Sequence, residues 1–148
     1  MNVNEKEIAE YLEKWQAVLR LRDWDIIVKM VKTPWRKSAD IKIDLEDKKA
    51  VLLVSCNPKC ENLEELVIHE LLHLKLYGMD QMIEELLSIV YGEKEEDPKK
   101  EFASTQFMKL LESTVEDLTK GYLTVVNSQK MLSFGRLQKA IDEEIKNN

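Results

Sequence analysis

The chain has 148 residues, 44% of them hydrophobic and 34% charged, and its formal net charge is -6 at pH 7. This length is enough for one domain with its own core, and the composition is typical of a folded protein and not of a disordered one. The acidic balance excludes broad binding to nucleic-acid phosphates or to an anionic membrane, because both require a basic patch. No basic segment followed by an apolar one opens the sequence, and no apolar run approaches roughly 18 residues. We therefore expect a cytoplasmic protein with no membrane contact.

The N-terminal part of the chain predicts one helix followed by three strands. Asn4, with glutamates at positions 5 and 7, is a suitable N-cap for an amphipathic helix that ends near residues 20–22. Segments rich in β-branched and large apolar residues then predict strands over residues 24–31, 39–45 and 50–55. We therefore predict an α+β fold in which a small twisted sheet, three-stranded or slightly larger, packs on several helices.

The C-terminal part of the chain is predicted to be helical. Asn62, with Glu65 three residues later, is a capping-box start for a helix over residues 63–77, and Gly78 suits the position just after that helix. The remaining predicted elements are a helix over 80–91, an acidic linker over 93–100, a helix from about 105 to 129, and an amphipathic helix over 133–146. The last of these belongs to a helical extension of about 131–148.

The only two histidines of the chain, His69 and His73, frame the sequence HELLH in the predicted helix 63–77. They stand one turn apart on the same helix face, with Glu70 rotated by about 100° from His69 and about 60° from His73. Two imidazoles at that spacing reach one zinc ion, and the glutamate reaches a metal-bound water without ligating the metal. Zinc lowers the pKa of that water to about 7, so the glutamate can accept its proton and pass it to a leaving amine.

Two other interpretations of these residues remain open. The histidines could be neutral core residues and Glu70 a surface charge, although the apolar residues around the rest of the helix leave only a narrow polar stripe. Alternatively, Cys56 and Cys60 could complete a closed Cys₂His₂ zinc site with the two histidines, which would stabilise the fold and catalyse nothing. The spacing from Cys60 to His69 is shorter than in finger modules, and such a site leaves Glu70 without a role.

The HELLH helix after three short strands resembles the active-site helix of the zincin metallopeptidases. Nothing similar to H-x-x-G-x-x-H extends beyond the second histidine, so the metzincin branch is not matched. The gluzincin branch takes a glutamate from a later helix, and residues 112–118 (ESTVEDL) are similar to that helix in the small single-domain minigluzincins. The resemblance implies His69, His73 and Glu112 as zinc ligands, Glu70 as the catalytic residue, and Glu116 as a partner behind the ligands or the alternative ligand.

The sequence departs from the gluzincin pattern at two points. The interval between His73 and Glu112 is longer than in compact members, because it contains the predicted helix 80–91 and the acidic linker. A third histidine that would stabilise an oxyanion is absent from the sequence. The residues considered as replacements are Tyr77, Tyr91 and Tyr122.

The resemblance also implies an activity, a substrate and a form of regulation. Residues 1–148 would form one zincin-like domain, a zinc metalloendopeptidase acting on peptides or proteins. The substrate would add as a strand to the sheet edge at residues 50–55. The extension over 131–148 would be either a plug in a latent enzyme or an ordinary packing helix. The alternative function is a zinc-binding regulatory or interaction module that catalyses nothing.

Overall fold

The computed structural model describes residues 3–94, 96–126 and 135–147, and this part of the chain forms three strands and four helices. In chain order they are α1 (Glu5–Val18), β1 (Asp25–Val31), β2 (Ala39–Asp44), β3 (Lys49–Ser55), α2 (Leu63–Tyr91), α3 (Pro98–Val125) and α4 (Gly135–Asn147). The predicted α+β class and the small three-stranded sheet are confirmed.

The sheet has the strand order β1-β3-β2. β3 pairs parallel with β1 and antiparallel with β2, so that Ile41 lies opposite Leu52. The prediction that residues 50–55 form the edge that receives a substrate is therefore wrong, since β3 is the middle strand. Its largely apolar sequence suits a central strand, which is hydrogen-bonded to a neighbouring strand along both edges. Among the described residues, β1 and β2 are the two edges.

α1 and α2 cover one face of the sheet, α3 packs on α2, and the core lies between these helices and the strands. Alternate strand residues point to this face, as the two-residue period of a strand requires. The largest apolar side chains with less than 2% exposure are Trp15, Ile8, Leu52, Ile68, Leu71, Leu123, Val54, Val67 and Val115. On the opposite face Ile27 is 60% exposed, so that face is open to solvent in the described part of the chain.

A buried carboxylate joins α1 to the first turn of α2. Glu64 is 6% exposed, and its Oε2 accepts hydrogen bonds from Trp15 Nε1 and from Lys14 Nζ, both at 2.8 Å. A buried carboxylate is tolerated when charged and polar donors satisfy it. This contact fixes the start of the helix that carries both histidines.

α2 begins as predicted but does not end as predicted. The Asn62 side chain accepts a hydrogen bond from the Glu65 amide at 3.1 Å, which is the expected N-cap. The helix then runs without a break through Gly78 to Tyr91, so the prediction of two helices, 63–77 and 80–91, is wrong. A glycine inside a helix costs only about 1 kcal/mol, which is too little to end the helix by itself.

The boundaries of the later helices also differ from the predictions. α3 begins at Pro98, capped by Asp97, so the end of the predicted linker 93–100 is the first helical turn. A proline at that position needs no hydrogen-bonded amide, and its fixed φ suits a helix start. None of the described helices is long and apolar enough to cross a membrane.

α4 confirms a helix within the predicted C-terminal extension, whose residues 131–134 and 148 lie outside the described residues. The side chains of residues 137–147 are all exposed, including Leu137 at 59% and Ile145 at 68%. These residues therefore neither plug the HELLH region nor pack into the core in this structure.

Candidate metal centre

α2 places the two histidines one turn apart at the border between core and solvent. The side chains of His69 and His73 are 26% and 21% exposed, and their rings meet edge to face with centroids 5.0 Å apart. Ile68, next to His69, and Leu71, midway between the histidines, are fully buried. The apolar sides of the helix thus pack in the core, and the two imidazoles face Glu112 of α3.

α3 packs along α2 and brings Glu112 to the histidines. Glu112 Oε1 accepts a hydrogen bond from His73 Nε2 at 2.9 Å, and Glu112 Oε2 lies 3.7 Å from His69 Nε2. At the far end of the same pair of helices, Lys100 Nζ donates to the carbonyl oxygen of Gly92 at 2.9 Å. The three residues predicted as metal ligands are therefore adjacent in the structure.

The helical spacing of apolar residues predicts that α3 buries a stripe of Phe107, Leu110, Leu111, Val115 and Leu118, with Glu112 at its margin, and the observed stripe differs in part. Val115 is buried as expected, but Leu110 and Leu118 are 67% and 42% exposed. Thr119 and Leu123, both 1% exposed, continue the stripe instead. Thr119 is tolerated there because its hydroxyl donates to the Val115 carbonyl oxygen at 2.7 Å.

The two imidazoles differ in how readily they take up a proton. Burial and the charge of His73 lower the pKa of His69, against the opposing charges of Glu112 and Glu116. Burial is also the largest single influence on His73 and disfavours its charged form, but the hydrogen bond to Glu112 and the charges of Glu112, Glu70 and Asp80 together outweigh it and raise the pKa of His73. Glu116, one turn after Glu112, thus acts on His69 through its charge and is not part of the three-residue cluster.

Glu70 lies beside the cluster and is 9% exposed. Burial raises the pKa of its carboxyl to about 7, against the opposing charge of His73. Asp40 in β2 and Lys37 just before it also act electrostatically on this carboxyl. A carboxyl with a pKa near neutrality can both accept and donate a proton. The HELLH pattern predicted the place of Glu70 on the helix, whereas nothing in the sequence indicated the nearby β2 charges.

The cluster of His69, His73 and Glu112 could hold a metal ion. One ligand atom from each of His69, His73 and Glu112 can be chosen so that all three lie within 4.8 Å of one another. Ligands at about 2.0 to 2.2 Å in a tetrahedral site stand about 3.4 Å apart, so small side-chain rotations would close the triangle. Two imidazoles and one carboxylate also leave a fourth position open, as in catalytic zinc sites.

The cysteines are not part of this cluster. Cys56 and Cys60 are free and half-buried, and the one group of side chains in the described residues that could hold a metal ion contains neither. Cys60 Sγ donates to the Asn62 carbonyl oxygen at 3.4 Å. Burial and the charge of Glu65 raise the pKa of the Cys60 thiol to about 11, so it carries its proton at neutral pH.

Two of the three tyrosines considered for the oxyanion lie away from the histidines. The Tyr122 ring packs edge-on against Trp15 with centroids 5.7 Å apart, near the first turn of α2. Tyr91 is the last residue of α2, roughly 27 Å beyond His73 at 1.5 Å per residue. Tyr77, one turn after His73 and half-buried, is the nearest of the three along the helix.

Comparison with known proteins gives no further assignment. No protein-family model, no curated protein and no solved structure among those searched matches this chain. The likeness to gluzincins consequently depends on HELLH and the later glutamate.

Proposed function

We propose that this chain is a zinc-dependent metallopeptidase of the gluzincin type, in which His69, His73 and Glu112 bind the metal and Glu70 transfers protons. The observation that carries this proposal is the position of Glu112. Its carboxylate contacts His73 at 2.9 Å and lies 3.7 Å from His69, although the distal part of α2 and the first part of α3 separate them in sequence. A glutamate on a separate helix has no structural need to meet the HELLH face.

The side chains of the site support hydrolysis. When bound, zinc supplies Lewis acidity and a water of lowered pKa. Glu70 would accept a proton from the attacking water on a carboxylate oxygen and deliver it to the nitrogen of the leaving amine. In the metal-free protein, burial raises the pKa of this carboxyl to about 7. Such proton transfer is worth roughly 10²- to 10⁴-fold in rate.

An extended peptide would bind along β2. This strand is a sheet edge and packs against α2, and its Asp40 acts electrostatically on Glu70. β-Augmentation uses main-chain hydrogen bonds and is therefore compatible with many peptide sequences. The substrate class that follows is an unfolded or extended polypeptide.

The first experiment measures the number of zinc ions per chain by elemental analysis, in protein purified without a metal-affinity resin. Wild type and the double variant Cys56→Ser, Cys60→Ser should each retain about one zinc. His73→Ala and Glu112→Gln should lose it, because each leaves two ligands. Loss of zinc in the cysteine variant alone would replace the proposal with a closed structural site.

Hydrolysis of an unfolded protein substrate tests the catalytic role. Glu70→Gln should keep its zinc and lose roughly 10²- to 10⁴-fold in kcat. Glu85→Gln, an exposed substitution of the same kind on the same helix, should hydrolyse at the wild-type rate. Zinc-loaded wild type that cleaves nothing, or Glu70→Gln that cleaves at the wild-type rate, would sink the enzymatic proposal.

A further inference from the structure

The outer edge of β2 presents main-chain groups at every second residue. Ser55 N donates to Ser38 O at 2.9 Å, at the point where β2 and β3 meet. In an antiparallel pair the main-chain bonds to the neighbouring strand occur at every second residue. The main-chain groups of the even-numbered residues of β2 therefore bond to β3, and those of the odd-numbered residues point away from the sheet. The residues whose main-chain N–H and C=O groups point away from the sheet are Ala39, Ile41 and Ile43.

The central donor on this edge is already occupied by a side chain. The Ile41 amide donates to Asp40 Oδ1 at 2.9 Å. Two ammonium groups hold the other oxygen of the same carboxylate, because Asp40 Oδ2 lies 2.9 Å from Lys37 Nζ and 3.1 Å from Lys42 Nζ. Its side chain is only 22% exposed. Asp40 is thus fixed against the edge and does not extend freely into solvent.

We infer that Asp40 is a gate on the β2 edge, whose carboxylate occupies the place that a carbonyl oxygen of an incoming strand must take. An extended peptide can bond to Ile41 only after Asp40 Oδ1 has left that amide. The inference rests on the proposed function in taking the incoming strand to be the substrate.

Asp40 weakens peptide binding because its hydrogen bond to the Ile41 amide, and its contacts with Lys37 and Lys42, must first be released. Edge strands commonly carry charged side chains that prevent unwanted pairing, and here the charge acts at the strand that borders Glu70. Peptides with a well-placed carbonyl and enough further contacts displace Asp40, whereas short or poorly matched ones do not. Asp40 therefore sets a threshold for which extended chains reach the site.

Binding of an extended peptide to protein kept zinc-free with chelator tests this gate. The probe is a fluorescein-labelled, lysine-flanked peptide of alternating threonine and valine, a composition that favours the extended conformation, followed by anisotropy. Asp40→Ala should bind it roughly 2- to 12-fold more tightly than wild type, the range expected for one net hydrogen bond. Asp40→Asn keeps an oxygen for the Ile41 amide but loses the charge, so its affinity should fall between the two.

Asp25→Ala is the matched control, since Asp25 is an exposed aspartate in the other edge strand; it should bind the peptide as wild type does. Amide hydrogen exchange in the wild type gives a second measurement that needs no variant. The Ile41 amide should exchange more slowly than those of Ala39 and Ile43, and this difference should vanish in Asp40→Ala.

The gate would be overturned if Asp40→Ala bound the peptide no more tightly than wild type, or if neither wild type nor any variant bound it. Equal exchange rates at the three amides would also overturn it. Zinc content and hydrolysis of the same preparations report on the proposed function separately. Tighter binding by Asp40→Ala in a protein that never takes up zinc would overturn the metallopeptidase proposal and leave the gate in place.

Discussion

The two halves of α2 have similar apolar sequences but very different surroundings. In the proximal half, residues 63–77, Leu71 is fully buried and Leu74 is 3% exposed. In the distal half, residues 79–91, Leu86 is 45% and Ile89 is 82% exposed. The sheet, α1 and α3 pack against the helix, and the core residues that they bury all belong to the proximal half.

This difference shows that hydrophobicity alone does not decide where a helix is buried. The candidate metal centre lies in the half that the core contacts on several sides, where the two histidine side chains keep a fixed direction. The distal half extends the same helix to the start of α3 and so allows α3 to return with Glu112. The proximal half positions the two histidines, and the distal half determines where α3 begins and so how Glu112 reaches them.

The largest expected effect comes from truncating the same residue type in both halves. Leu71→Ala should lower the free energy of unfolding by about 3 to 4 kcal/mol, because it opens a cavity in a close-packed core. Leu86→Ala should lower it by less than about 1 kcal/mol, since that side chain is already 45% exposed. Urea denaturation of both variants measures the difference. Equal losses would mean that the distal half is covered in solution.

A smaller effect is expected from the buried carboxylate, measured in metal-free protein. Because the pKa of Glu70 is raised from 4.5 to about 7, the folded state holds a proton that the unfolded state releases. Stability should therefore fall as pH rises from about 4.5 to about 7 and stay low above that. Glu70→Gln removes this loss, so it should be more stable than wild type at pH 8 by at most about 3 kcal/mol, at 1.36 kcal/mol per pH unit.

The same comparison needs a control in the distal half. Glu85→Gln, an exposed position, should change the free energy of unfolding by less than about 0.5 kcal/mol. Denaturation of both variants and wild type at pH 5 and pH 8 separates the two cases. A Glu70→Gln variant that is no more stable than wild type at pH 8 would mean that water reaches this carboxyl.

Local signals account for what could be predicted from the sequence. Asn4 and Asn62 cap their helices as expected because the interaction of a cap with the next turn is local. The strands followed from runs of β-branched residues, and the HELLH spacing fixes a shared helix face without any tertiary information. The meeting of Glu112 with that face was predicted through the resemblance and through its place beside the apolar stripe.

The features that could not be predicted depend on partners distant in sequence. Strand order is one, because pairing β1 with β3 requires a crossover that no turn motif announces. The buried Thr119 is another, since its polarity is compensated only by a hydrogen bond inside the helix. The Asp40 contact with the Ile41 amide depends on which edge of the sheet stays free. The continuation of α2 through Gly78 is a further one, because it depends on a small difference in free energy between the helical and non-helical conformations of that residue.

The smallest expected effect tests that junction between the two halves. Gly78 lies inside α2, and a Cβ added there meets no atom within 4 Å, so Gly78→Ala should raise the free energy of unfolding by about 0.5 to 1 kcal/mol. Gly92, just after the helix, has φ of 80°, so Gly92→Ala should lower the free energy of unfolding by about 1 kcal/mol.

Urea denaturation of the two variants gives changes of opposite sign if α2 is one helix. A loss of stability in Gly78→Ala would instead mean that residue 78 leaves the helical conformation in solution. The two halves would then be separate helices, and the path that brings Glu112 to the histidines would contain a hinge.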